Sequence, residues 1–336
     1  MSSTWVFVTK PTRQRLLVGL ALLVTVLLAS ACVREEQVNE GDDAPATQRL
    51  SIATGGTGGV YFVYGGGLAE QVTRNLEGVE ATAEVTSASV DNMLLIADEA
   101  SDLAFTLADT AQDAVEGREG FEEPVPAQAL ARLYTNYTQV VTTTNTGIET
   151  IEDLQGRRVS VGSPNSGTEV IALRILEAAG MDADADIDRQ QLDVDQSVQA
   201  VRDGTIDAFF WSGGLPTGAV TDLSTTDPIF MIPTAEYTND LVETYGDVYS
   251  ETDIPADTYD GMNQDVATIG VPNYLVVNEA MDEELAFELT QLLFERQEQL
   301  VQVHPEAQNL DSTTAQEVEG VELHPGAQRY YEDSGS

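Results

Sequence analysis

Ala53-Thr54-Gly55-Gly56-Thr57-Gly58-Gly59-Val60-Tyr61 is the stretch on which the reading of this 336-residue chain turns. The apolar run Leu50-Ser51-Ile52 precedes it and reads as a buried strand. After it, Val60, Tyr64, Leu68, Val72 and Leu76 recur every four residues, which predicts a helix with one apolar face. A strand, a glycine-rich turn and a helix start bring free backbone N–H groups and the positive end of a helix dipole to one spot. Such a spot attracts anions. The Lys that closes a nucleotide P-loop is missing and the GxGxxG spacing is not met, so neither nucleotide fingerprint applies. The loop reads as a plain glycine turn or as a cradle for a small anionic or zwitterionic ligand, and the cradle is carried forward. Gly65, Gly66 and Gly67 lie inside the helix, where each costs about 1 kcal/mol relative to Ala. Tight packing of helix on sheet is the first expected compensation, close approach of a ligand the second.

Working outward, residues 1–32 read as a targeting segment. Lys10, Arg13 and Arg15 form a basic start and residues 16–28 an apolar core too short for a membrane span. Leu28-Ala29-Ser30-Ala31-Cys32 resembles a bacterial lipobox, with Cys32 as the lipid-modified residue; Leu28 stands one place further back than the usual pattern has it. An ordinary secretory signal followed by a chance Cys is the alternative. Cys32 is the single cysteine, so no internal disulfide can form. Residues 33–47 are polar, acidic and aperiodic, and read as a flexible tether.

From residue 48 the pattern alternates strand and helix. Strands are expected over 80–85 and 102–107, with a helix over 90–99 and, after Ala108-Asp109-Thr110, another running to Gly117. A second series begins after residues 140–144. It has a strand over 158–161, the turn Gly162-Ser163-Pro164-Asn165-Ser166-Gly167-Thr168 and a helix over 169–179 closed by Gly180. A short helix over 197–202, a strand over 207–211, a strand over 271–277 and one long amphipathic helix over 282–301 follow, the last with Leu285, Leu289, Leu292 and Leu293 inward. Repeated strand–turn–helix units imply a parallel sheet with ligands outside the carboxyl ends of its strands. Thr57, Ser87, Ser89, Asn92 and Asp109 converge by that rule, although Ser87 or Ser89 can equally cap a helix. Trp211 reads as core first and as a cleft wall second.

Charge sets limits of its own. After Cys32 there are twelve Arg, no Lys and all 57 Asp and Glu. That surface opposes nucleic-acid binding, which needs positive charge against phosphates. No spacing of carboxylates matches an EF-hand, and the charge is read as adaptation to a salty exterior. No HExxH, CxxC or serine elbow occurs, and His304 and His324, each before a Pro, fit helix-end and turn roles. No enzyme activity, cofactor or metal is therefore expected.

Several motifs together carry a family resemblance: 54–61, the turn 162–169, Gly213-Gly214-Leu215-Pro216, and Leu323-His324-Pro325-Gly326-Ala327-Gln328-Arg329-Tyr330-Tyr331. In their order and spacing the chain resembles the TAXI family of TRAP-transporter solute-binding proteins over nearly all of residues 48–332. The resemblance implies an α/β, two-lobed, periplasmic-binding-protein-like fold of type II. Each lobe would be a doubly wound, mostly parallel sheet with helices on both faces. Lobe one is expected at 48–139 plus 273–336 and lobe two at 140–272. The implied function is an extracytoplasmic, lipid-anchored receptor that closes on a small carboxylate or amino-acid solute such as glutamate or glutamine and delivers it to TRAP permease subunits. A sensory protein presenting its ligand to a membrane-bound receptor is the alternative. The expected ligand-binding set is Gly56, Thr57, Gly58, Gly59 and Tyr61 from the first loop; Ser87, Ser89, Asn92 and Asp109 from the next strand ends; and Ser163, Ser166, Gly167, Thr168, Gly213 and Leu215 from the second half.

Overall fold

Strand β1 (Gln48–Ala53) runs into the glycine loop and α1 (Val60–Asn75), as the opening stretch requires. The computed structural model describes residues 47–335; the targeting segment, Cys32 and the tether up to residue 46 lie outside the described residues. Three strand–helix units open the chain: β1 and α1, β2 (Val79–Glu84) and α2 (Ser89–Ala97), and β3 (Leu103–Leu107) and α3 (Ala108–Glu116). The long β4 (Ala127–Thr143) leads to β5 (Arg158–Ser160), α4 (Gly167–Ala178), β6 (Asp188–Gln190), α5 (Val194–Arg202) and β7 (Ala208–Gly213). Then come α6 (Gly218–Ser224), β8 (Ile229–Ile232), α7 (Thr238–Tyr245), β9 (Ser250–Ile254) and the long β10 (Val266–Asn278). Helices α8 (Glu283–Glu295), α9 (Gln297–Val303) and α10 (Pro325–Ser334) end the chain.

The sheet order is β2-β1-β3-β10-β4-β7-β5-β6, with β8 on β4 and β9 on β10. Both flanks are parallel, β1 pairing with β2 and β3, and β5 with β6 and β7. The two long strands β4 and β10 run antiparallel between them. Residues 127–137 of β4 pair with β10, and from Tyr137 onward β4 pairs with β7. Likewise β10 pairs with β9 up to Gly270 and with β3 from Asn273. Two strands thus join a first half (β1–β3, α1–α3, α8–α10) to a second half (β5–β9, α4–α7). The helix termini that open each unit lie at the carboxyl ends of the strands, where α/β sheets bind their ligands.

The expected stripe on α1 packs as read: Val60, Tyr64, Leu68 and Val72 are buried against Ile52, Leu103 and Phe105. Two of the three internal glycines have a packing reason. A Cβ on Gly65 would meet Thr54 Cγ2 at 2.5 Å, and one on Gly67 would meet Val303 at 3.0 Å, so α1 lies against the sheet on one side and α9 on the other. Gly66 faces open space. The single helix expected over 282–301 is instead two, broken at Arg296, whose backbone (φ −111°, ψ 14°) turns α9 back across α1. Leu285, Leu289, Leu292 and Leu293 are nevertheless buried together. Among the described residues no helix is long and apolar enough to cross a membrane.

Candidate functional site

Four helix starts meet at one cavity: Val60 of α1, Ser89 of α2, Gly167 of α4 and Val194 of α5 all line it. The cavity has a volume of about 50 Å³, room for about four waters on the measure by which one water needs 10–15 Å³. The starts of α1 and α2 carry no side-chain cap. Their first-turn N–H groups are therefore free of side-chain acceptors, and their dipoles put partial positive charge at the cavity wall. The start of α4 is capped by Ser166, whose Oγ accepts from Glu169 N at 3.1 Å. The start of α5 carries a full capping box between Asp193 and Gln196.

Of the residues expected from sequence, Gly56, Gly58, Gly59, Tyr61, Ser87, Ser89, Ser163, Ser166, Gly167, Thr168 and Gly213 line the cavity together. Four do not. Thr57 is exposed on the outer turn of the glycine loop. Asn92 is buried behind it, its amide donating to the carbonyls of Thr54 and Phe105 at 2.7 Å, so it ties β1 to β3. Asp109 faces away, 2 % exposed, and accepts from the Tyr249 hydroxyl at 2.9 Å. Leu215 lies beyond the lining, its N–H donating to Glu306 Oε1 at 2.5 Å. Several lining hydroxyls also serve the scaffold: Ser89 Oγ accepts from Leu107 N at 3.1 Å and Thr168 Oγ1 from Ser212 N at 3.2 Å. Each keeps its proton to donate to a ligand.

Other lining residues come from elements that adjacent sequence does not connect. Below the cavity a chain of side-chain hydrogen bonds spans the two halves. The Tyr61 hydroxyl donates to Asn273 Oδ1, Asn273 Nδ2 donates to Asn136 Oδ1 at 2.9 Å, and Asn136 Nδ2 donates to Ser212 Oγ at 3.4 Å. Tyr134 also lines the wall, and its buried hydroxyl has no partner among the described residues. Trp211 forms a wall after all: its indole N–H donates to Thr217 Oγ1 at 2.9 Å, which holds the ring 3.1 Å from where a Gly59 Cβ would stand. Burial above all, with Tyr61, Glu306 and Tyr64 adding to it, raises the Tyr134 hydroxyl well above the ordinary phenol range, so it is a donor at any physiological pH.

Electrostatically the site is unusual for a chain of this design. The lining holds no Arg, Lys or His, yet it holds Asp193 and Asp195. Burial, then the neighbouring Asp193 and Asp222, raise the Asp195 carboxyl above its ordinary value. Its oxygen lies 2.5 Å from where a Gly58 Cβ would be, so the second half touches the first here and a larger residue would displace the Asp195 carboxylate. Gly167 repeats this from the other side, its built Cβ falling 2.6 Å from Ser89 Oγ. Ala88, also in the lining, has φ +80° and ψ −146°, a region almost reserved for glycine. Neither histidine is in the cavity lining, and both act as caps: His304 Nδ1 accepts from Glu306 N at 3.1 Å and His324 Nδ1 from Gly326 N at 3.2 Å. Among the described residues no group of three His, Cys, Asp or Glu is placed to hold a metal.

A two-flanked α/β sheet joined by two long strands, with helix starts converging on a cavity between the flanks, is the architecture of the periplasmic binding proteins of type II. The chain belongs to the NMT1-like family, whose model matches residues 52–335. Solved structures with the same fold include PhnD1 from Prochlorococcus marinus in complex with methylphosphonate, at a TM-score of 0.54 and 11 % identity over 86 % of this chain and 96 % of that one. A Xanthomonas citri protein bound to ATP matches at a TM-score of 0.51 and 11 % identity, over 85 % and 95 % of the two chains. A binding-protein component of an ABC phosphonate transporter from Pseudomonas aeruginosa matches at 0.51 and 11 %, over 79 % and 80 %. The expected resemblance is met at the level of the type II binding-protein fold; the family shown is the NMT1-like one.

Proposed function

We propose that this chain is an extracytoplasmic solute receptor that binds one small carboxylate, such as glutamate, glutamine or a related organic acid, between two lobes and hands it to a membrane permease of the TRAP, TAXI-type kind. Lobe one comprises 48–139 plus 273–336 and lobe two 140–272, with Cys32 as the lipid anchor. The observation that carries the reading is the convergence of the uncapped starts of α1 and α2 and the start of α4 on one cavity that has no basic side chain. Charge-assisted hydrogen bonds from such donors contribute about 1.5–3 kcal/mol each. Three of them sum to about 4.5–9 kcal/mol, the upper end of which corresponds to micromolar binding without an Arg. The fold neighbour in complex with methylphosphonate is in keeping with a small anionic solute. A dianion, however, would meet Asp193 and Asp195 at the rim, which favours a monoanionic carboxylate. Mass spectrometry of the small molecule that co-purifies with the protein, followed by calorimetry with that compound, tests the reading. A co-purified compound without an acidic group, or glutamate, glutamine and other small carboxylates all failing to bind, would overturn the choice of solute.

A further inference from the structure

The molecule's most deeply buried ion pair lies behind the cavity, between helices of opposite halves. Arg174, two turns along α4 from the cavity, is 4 % exposed and sends one guanidinium nitrogen to Asp113 Oδ2 at 2.5 Å. Its other nitrogen donates to the Tyr249 hydroxyl at 2.6 Å and lies 3.7 Å from Asp109 Oδ2. Tyr249 closes the ring by donating to Asp109 Oδ2 at 2.9 Å. The face of the Tyr245 ring lies 4.0 Å from the guanidinium carbon. Asp109 and Asp113 stand on α3, directly after β3, in the first half; Arg174, Tyr245 and Tyr249 all belong to the second.

This arrangement is wasteful as a static brace. A buried ion pair recovers little beyond its own desolvation cost, and apolar residues of similar volume would hold the seam at least as well. It becomes useful when the seam must open, because charged groups are well solvated once exposed and an apolar seam would not be. The halves also repel. Residues 140–272 carry five Arg against 24 Asp and Glu, and residues 48–139 plus 273–336 carry six Arg against 28. Something must offset that repulsion when they close.

We infer that Arg174, clamped by Asp109, Asp113 and Tyr249, is a latch that holds the two halves together in the closed form and parts when they separate. The inference rests on the receptor reading in one respect, that the halves move against each other. Breaking a buried pair by removing one partner leaves uncompensated charge in the seam. Arg174→Met therefore shifts the balance toward the open form by a hundredfold or more.

Small-angle scattering on the ligand-free chain at low ionic strength, with far-ultraviolet circular dichroism as the check on folding, reads this directly. Arg174→Met is expected to raise the radius of gyration with an unchanged helix signal. Tyr249→Phe, which removes one hydroxyl and leaves the charges balanced, is expected to raise it less; it carries the test if Arg174→Met does not fold. Folded variants that both keep the parental radius overturn the latch and leave the receptor reading standing. Failure of the receptor reading shows separately, as the absence of any bound small molecule in the parent.

Discussion

Asp113 offers a test in which the sign of the result separates two forces. Its carboxyl is 2 % exposed and faces Arg174 across the seam, Asp109 one turn back on its own helix, and Arg118 at 3.1 Å on the outer side. Burial raises its pKa from 3.8 to about 6, the Arg174 and Arg118 charges opposing and the Asp109 charge assisting. Burial therefore outweighs the two guanidinium charges at this carboxyl. A carboxyl whose folded pKa lies above its unfolded value binds more protons in the native state between those two values. Its contribution is fully present below pH 3.8 and is lost as pH rises through about 6. At 1.36 kcal/mol per pH unit the loss is about 3 kcal/mol. Asp113→Asn imitates the protonated carboxyl and removes the titration. Urea unfolding of both proteins from pH 4 to pH 8 should give equal stabilities near pH 4. The variant should then pull ahead by up to about 3 kcal/mol above pH 7, or about 6 °C in Tm. Taking the difference cancels the many other carboxylates. If the parent instead gains on the variant as pH rises, the Arg174 attraction outweighs burial and the reasoning is refuted; a flat difference refutes it too.

Gly58→Val should weaken solute binding by a hundredfold or more in calorimetry with an unchanged fold, because its branched Cβ takes the place of the Asp195 carboxylate, 2.5 Å from its oxygen, when the halves meet. Parental affinity in that variant would show that the contact is dispensable. Thr57→Ala should change the affinity less than twofold, since Thr57 is exposed and outside the lining; a tenfold loss would return its hydroxyl to the site. Tyr134→Phe should keep its thermal midpoint, because the hydroxyl has no partner to lose, and a clear drop in that midpoint would reveal one. Cys32→Ser should move the protein to the soluble fraction or leave it unprocessed, and membrane retention after cleavage at the same site would end the lipid-anchor reading.

Local periodicity made the flanks legible. The strands and helices from β1 to α3, and β5, α4 and α5, fall within a few residues of where the apolar spacing puts them, because each unit buries its own face, while the three-residue β6 was not expected. The long central strands were harder. Residues 127–139 escape because Ala127-Gln128-Ala129-Leu130-Ala131 carries neither a helical nor a strand period: β4 is covered on both faces, so burial does not alternate. Arg296 breaks a continuous apolar stripe for a tertiary reason, the turn of α9 across α1, which no local residue announces. At the site, the glycine loops and hydroxyl turns were readable because helix starts are written in adjacent residues. Asn136, Tyr134, Asp193 and Asp195 were not, since β4 and α5 reach the cavity only through the sheet order. Asp109 and Asn92 misled for the converse reason. Asp109 sits two residues past the end of β3 and Asn92 in the first turn of α2, the right places for ligand contacts, but the fold spends them on the seam and on joining β1 to β3.

Distance resolves the tension between so acidic a chain and the anion-binding role proposed for its cavity. At about 0.1 M salt, exposed charges further than about 10 Å away are largely screened, so only carboxylates close to the cavity act strongly on a solute between the halves. Backbone N–H groups act at about 3 Å and from within a buried wall, where screening is weak. What remains to oppose an anion is Asp193 and Asp195, on the first turn of α5. Asp193 spends one oxygen on capping that helix, at 2.7 Å from Gln196 N. Asp195 is pushed toward its neutral form by burial, by Asp193 and by Asp222. Each step lowers the negative charge that a bound carboxylate meets. The starts of α1, α2 and α4 therefore face a weakened opponent, and the balance of nearby groups, not the charge of the whole, sets which solutes the cavity accepts.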